Sequence, residues 1–290
     1  MRGLAELAMR GPKQAVILSA LFACIPMLFW ISAAIVSLVL LRRGFDQGFK
    51  VLMWALLPGI AWAAMGQYSV VMGLLATVSL ASVLRVTVSW QKTLLALLPV
   101  GGAMAFVLSQ LAPAQVSQLS AMVMEFLGTF LKQAGKTPAD LGEILKPLIH
   151  YGVIGMLTWF NLVSCILGLI LARSWQSSLY NPGGFREEFQ RIRLPVLSSM
   201  LLLALTVAGS ALSPVMVVLV PIASLPLFIA GVSLVHGLVA LRKRGIQWLA
   251  VFYVMVVLFT QLAYPVIVLT ACLDSLFDFR SRVANRANQG

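Results

Sequence analysis

Charge is the scarcest property of this chain. Only 10% of its 290 residues are Asp, Glu, Lys or Arg, and only nine are acidic, whereas a soluble globular domain carries about 25%. With 60% hydrophobic residues, too little polar surface remains to cover a water-soluble helical core. Cysteine is also rare. Cys24, Cys165 and Cys272 stand far apart inside apolar runs with no CxxC spacing, which excludes a disulfide framework and a cysteine metal site. Such buried thiols behave as small hydrophobes. The two histidines, His150 and His236, lack an HExxH or similar partner set, so no metal is expected. Nucleophile motifs of the GxSxG and SxxK kind have no credible context. AGKT (134–137) ends like a phosphate loop, but Phe130 stands where that motif needs its first glycine. Asp274-x-x-x-Asp278 is similar to the tail of the CDP-alcohol phosphotransferase signature, yet the Asp-Gly, Ala-Arg and further Asp of that signature are missing. These gaps point away from an enzyme and from any cofactor.

What the chain has in abundance is long apolar runs separated by short basic patches. Such runs read as transmembrane helices. The expected fold is all-α: a polytopic transmembrane bundle of eight to ten membrane helices, some short or broken by proline, with the lipid bilayer as first partner. The net charge of +12 reads as orientation, because Lys and Arg stay on the cytoplasmic side. The basic residues form no stripe with stacking aromatics, which excludes nucleic-acid binding. Arg2, Arg10 and Lys13 precede an apolar stretch in which LFAC (21–24) resembles a lipoprotein cleavage site. Phe22 fits that site poorly and apolar sequence continues to Leu41, so the segment is expected to stay as a membrane helix.

All but three of the 21 basic residues fall into six patches, around Arg2–Lys13, Arg42–Lys50, Arg85–Lys92, Arg173–Arg193, Arg242–Arg244 and Arg280–Arg286. The other three, Lys132, Lys136 and Lys146, share one segment. If every patch is cytoplasmic, an even number of crossings separates each neighbouring pair. Hairpins turning near Gly66-Gln67 and near Ser210–Pro214 satisfy two pairs, and helices over about 93–113 and 148–172 satisfy a third. The runs 15–41 and 246–279 are each long enough for one helix or two short ones. Pro26 and Pro265 favour a break in each, and hence ten crossings. Both termini are then cytoplasmic. Reporters fused at Gly290 and at Gly135 are predicted to lie on opposite sides; the same side for both would overturn this threading.

The chain reads as one integral membrane domain, 1–290. Residues 1–113 hold the N-terminal helices, 114–147 an extracytoplasmic amphipathic loop, and 148–290 the C-terminal helices with a cytoplasmic loop at 173–194. In the outer segment TPAD (137–140) is a helix start. In the cytoplasmic loop NPGG (181–184) is a turn, and Glu187 and Arg191 have helical pair spacing. Small residues recur every four positions at Ala15, Ser19, Ala23, at Ala55, Gly59, Ala63 and at Ser69, Gly73, Thr77, Ala81. Such ladders let helices approach closely, either within the protein or as a docking face for another membrane subunit. Asn161, His236, Thr260 and Gln261 are deep polar residues that hydrogen-bond across helices or line a pathway.

Asp274 and Asp278 stand at the end of the last apolar run, four apart on one helical face, with Arg282 four further on. Asp278 and Arg282 are expected to pair. Asp274 lies about 12 Å along the axis from Arg282, at the apolar boundary, where an unpaired carboxylate costs several kcal/mol. It therefore either faces a basic residue of another helix, with Arg193 or Arg242 as candidates, or holds its proton. The group Asp274, Asp278, Arg282 and Arg193 reads as a structural ion pair closing the cytoplasmic end, or as a proton- or cation-linked gate.

LDSLFDFRSR (273–282) resembles the closing signature of the YybS-like bacterial membrane proteins, a domain family of unknown function, and FQRIRLP (189–195) resembles their entry into the following helix. The order of elements also agrees. That family is similar in its N-terminal helices to the substrate-binding S components of energy-coupling-factor vitamin transporters. There, a small-xxx-small face on the first helix docks the coupling subunit, and Ala15, Ser19 and Ala23 stand in that place here. The resemblance implies binding or transport of a small solute. The alternative is a scaffold that docks a partner protein.

Overall fold

The computed structural model describes residues 2–133 and 142–287. All regular structure in them is helical. A short basic helix α1 (Arg2–Arg10) precedes α2 (Pro12–Ala23), a 3₁₀ turn (Pro26–Leu28) and α3 (Phe29–Arg43). Then come α4 (Phe45–Ala64), α5 (Ser69–Thr87), α6 (Trp90–Leu95), α7 (Leu97–Leu111), α8 (Pro113–Gln133) and α9 (Gly142–Tyr180). The C-terminal part holds α10 (Gly184–Gln190), α11 (Val196–Leu212), a 3₁₀ turn (Pro214–Val218) and α12 (Leu219–Leu241), followed by α13 (Gln247–Leu258), α14 (Thr260–Phe277) and α15 (Phe279–Ala287).

Six of the helical segments are long and apolar enough to cross a membrane, and α2, α11 and α13 are shorter apolar helices. α4 is also largely apolar but carries Asp46 and Lys50 in its first two turns. The chain is a multi-helix membrane protein. The six basic patches gather at one end. Arg43 reaches the Met9 carbonyl at 2.5 Å, Arg85 the Leu40 and Leu41 carbonyls, and Gln176 the Leu41 carbonyl. Arg173 pairs with Glu188, whose other contact is the Trp90 indole. At the opposite end, the turn between α2 and α3 lies level with the turn between α4 and α5, since Trp62 Nε1 donates to the Cys24 carbonyl.

The break at Pro26 falls where its chemistry predicts: Ile25 is extended and Pro26 opens the 3₁₀ turn. The expected break at Tyr264-Pro265 is not observed. α13 ends instead at Leu258 and α14 runs through Pro265. At the observed junction the Thr260 hydroxyl donates to the Val256 and Val257 carbonyls in the last turn of α13. One missing N–H at Pro265 is tolerated in a membrane helix packed on neighbours. At the basic end α3 passes into α4 through Gly44 alone, at φ 101°, a conformation that glycine adopts without strain.

Two helices tie the bundle together. α3 is buried continuously from Ser32 to Leu41, packed by α2, α4, α5 and α9. α9, about 58 Å long at 1.5 Å per residue, touches α3, α5, α7, α8 and α12 and so joins the N-terminal helices to the C-terminal ones. The amphipathic stretch 116–131, read from sequence as part of an outer loop, is helical in α8 and leans on α9 with only Val116 buried. Thr137, Pro138 and Asp140 of the expected helix start lie outside the described residues.

The small-residue ladder of α2 faces inward. Ala15, Ser19 and Ala23 are all buried where α2 packs on α3 and α4, and the Ser32 hydroxyl donates to the Ser19 carbonyl at 2.7 Å. This corrects the expectation of a docking face there, because the chain's own helices occupy the close approach that small residues permit. Ser19→Leu is expected to lower the melting temperature in detergent more than Leu18→Ala, since Leu18 is only half-buried and a bulky side chain at a filled contact costs about 1–3 kcal/mol. Unchanged melting in Ser19→Leu would mean that α2 is not held against α3.

Candidate functional site

The terminal aspartates stand at a helix junction, not along one helix face. Asp278 adopts φ 48° and ψ 67°, a left-handed conformation that ends α14 and that Asp tolerates better than most residues. Its Oδ1 accepts the Ser281 N–H at 3.2 Å, so it also caps the start of α15. Its Oδ2 accepts from Arg193 Nη1 at 2.6 Å. Arg282 therefore does not pair with Asp278; its guanidinium lies over the Phe277 ring, 5.5 Å from the centroid.

Asp274 is 2% exposed. Its Oδ1 accepts the Phe279 N–H at 3.0 Å, and its Oδ2 lies 3.6 Å from Arg280 Nη2. The partner is neither Arg193 nor Arg242. Arg193 reaches Asp274 only at its backbone carbonyl, through Nε at 3.1 Å, and the Ser275 carbonyl through Nη2 at 2.9 Å. A cation on the last carbonyls of α14 suits the negative end of the helix dipole. The break at Asp278 turns Arg280 back toward Asp274, a contact that a continuous helix forbids at six-residue spacing.

Three further bonds tie this junction into the bundle. Ser199 and Ser275 share a hydrogen bond of 2.8 Å between α11 and α14. The Ser233 hydroxyl of α12 faces the Phe189 and Ile192 carbonyls, and Arg280 Nη2 donates to its oxygen at 3.3 Å. Burial pulls the Arg280 guanidinium below its usual range, and the Asp274 carboxylate opposes that pull. This network closes the basic end of α11, α12 and α14.

A second region has the shape of a binding site. A cleft of about 600 Å³ lies between α9, α10, α12 and α13, within the ~300–1,000 Å³ common for small-molecule pockets. Its walls are apolar, including Ile170, Phe228, Val232, Leu249, Phe252 and Val256. His236 Nε2 and the Tyr253 hydroxyl share a hydrogen bond of 2.8 Å between α12 and α13. Phe189 meets the His236 ring edge-on at 5.3 Å. At the deep end Phe228 stacks on Tyr264 at 4.6 Å, and the Tyr264 hydroxyl bonds Ser224 at 2.7 Å and Trp159 at 3.2 Å. Arg186 and Arg244 stand on the lining at the basic end.

The cleft exists because α13 is loosely held. None of its residues is buried, and Leu249, Phe252 and Val256, which repeat at helical spacing, face the cleft without filling it. Of the deep polar residues singled out from sequence, His236 bonds to another helix. Asn161 and Thr260 donate to the carbonyl groups of preceding turns, and Gln261 is exposed. Cys24, Cys165 and Cys272 are separate free thiols. Comparison of the chain with family models, with curated proteins and with solved structures returned no match.

Proposed function

We propose that this protein is a non-enzymatic membrane protein that binds a small molecule in the cleft between α9, α10, α12 and α13, as a solute-binding or transport component. The observation that carries this reading is the cleft itself: apolar walls, a volume of about 600 Å³ and a few convergent polar groups, with His236 and Tyr253 at its centre. Pockets with those three properties are where small ligands bind. The resemblance of the C-terminal signature to YybS-like proteins, and of the N-terminal helices to S components, supports the same class of function in a bacterial inner membrane. The gathering of basic residues at one end supports a cytoplasmic position for both termini.

The test fills the cleft. Leu249 is half-buried and lines it from α13, so Leu249→Trp occupies the space without disturbing a packed helix contact. Small molecules that co-purify with the wild-type protein, identified by mass spectrometry of a solvent extract, are expected to be lost from Leu249→Trp while its melting temperature holds. Identical extracts from both would overturn the assignment of the cleft.

A further inference from the structure

Resting on the reading of the cleft as a ligand site, we infer that its ligand is an anionic amphiphile drawn from the bilayer, with a carboxylate or phosphate head at Arg186 and Arg244 and a single long apolar tail between α12 and α13. The charge pattern at the basic end carries this. The nearby acidic groups face other cations: Glu188 pairs with Arg173, Asp278 with Arg193 and Asp274 with Arg280, and Glu187 lies 4.0 Å from Arg191 at the surface. Arg186 and Arg244, the two charged residues of the cleft lining, have no carboxylate within 4.0 Å among the described residues. Arg244 lies over the Trp248 ring at 5.6 Å, a contact that leaves its edge N–H groups to an incoming anion.

Shape and position agree with that chemistry. The lining runs along α13 from Ile246, beside the arginines, to Val256, about 15 Å at 1.5 Å per residue. One end is therefore basic and at headgroup level, and the remainder is apolar and at membrane depth. A hydrophilic anion would leave the apolar walls unused, and a neutral hydrocarbon would leave two cations without a counter-charge. Leu167 and Tyr253 both line the cleft and are 49% and 45% exposed, so it opens sideways toward lipid. Because α13 buries no residue of its own, it can separate from α12 to admit a tail once the bond between His236 and Tyr253 opens.

The test uses the full chain in phosphatidylcholine nanodiscs, with cis-parinaric acid and its methyl ester as probes and the rise in the probes' own fluorescence on binding as readout, excited directly and corrected for empty nanodiscs. The acid is expected to bind saturably, about ten-fold or more tighter than the ester, the size of one charge-assisted hydrogen bond. In the variant with Arg186→Gln and Arg244→Gln, both at exposed positions, the acid is expected to fall to the affinity of the ester while the ester is unchanged. Leu249→Trp is expected to lose both. Equal binding of acid and ester to the wild-type protein overturns the anionic ligand and leaves the cleft as a site for neutral amphiphiles. Absence of saturable binding by either probe, or binding that Leu249→Trp does not alter, overturns the cleft reading as well.

Discussion

Asp274→Ala is expected to destabilise the detergent-solubilised protein by about 3–5 kcal/mol, the range for removing one partner of a buried ion pair. Its side chain is 3% exposed and that of Arg280 is 12% exposed, so the truncation leaves a guanidinium in a low-dielectric site with only the Ser233 hydroxyl beside it. It also frees the Phe279 N–H at the start of α15. Asp278→Ala removes a bond from Arg193 in a pair whose side chains are 32% and 38% exposed, where ion pairs contribute about 0–1 kcal/mol. Alanine at φ 48° adds about 1 kcal/mol of backbone strain. The order of loss is therefore Asp274→Ala well above Asp278→Ala. Asp274→Asn is expected between them, because the amide oxygen still accepts from Phe279 while the counter-charge for Arg280 is gone. Combining Asp274→Ala with Arg280→Ala is expected to recover part of the loss, since no charge is then stranded. Thermal melting in one detergent orders all four variants. Equal, negligible effects of the two single alanine changes would show that the junction is hydrated and that neither aspartate holds the bundle.

The helical class and the gathering of charge at one end were legible because basic patches and apolar runs are properties of segments. One end of the bundle gathers the basic patches, and among the described residues six helical segments are long and apolar enough to cross a membrane, with shorter apolar helices beside them. The details that failed depend on single atoms. Pro265 reads as a break, but α13 and α14 part at Phe259, where the Thr260 hydroxyl takes up carbonyls at the end of α13. Helical spacing paired Asp278 with Arg282, whereas the left-handed backbone at Asp278 gives its carboxylate to Ser281 and Arg193. The ladder of Ala15, Ser19 and Ala23 announced a close helix contact without saying whose helix would fill it. The cleft was hidden for another reason. Its lining comes from four elements and ranges from buried Val232 to exposed Leu167, and no single stretch carries its pattern. One signal was present: His236 and Tyr253 are equally spaced about the turn at Arg244-Gly245, as two facing residues of a helical hairpin must be.

Gly231→Ala is expected to separate α12 from α14. A Cβ built at Gly231 falls 2.5 Å from the Ile267 carbonyl oxygen and 3.2 Å from its carbonyl carbon. These are backbone atoms, so no side chain can turn aside, and one helix must move. Gly231 and Ile267 are both buried, and close approach of this kind is what small residues provide between membrane helices. The movement strains bonds on both sides of the contact, between Ser224 and Tyr264 toward one end and between Ser199 and Ser275 toward the other. Overpacking in a filled interior costs about 1–3 kcal/mol, and the stretched polar contacts add to it. Gly231→Val is expected to leave α14 undocked. The control is Gly102→Ala in α7, where an added Cβ meets no atom within 4 Å and the gain in helix propensity is up to about 1 kcal/mol. Both changes carry the same intrinsic propensity effect, so any difference in melting temperature between them reports packing. Gly231→Ala melting at or above Gly102→Ala would show that α12 and α14 stand farther apart than this contact requires. The expected result, a clear loss at Gly231 beside a small gain at Gly102, would locate the tightest hold on α14 at midspan and leave α13, which buries nothing, as the part of this hairpin free to move.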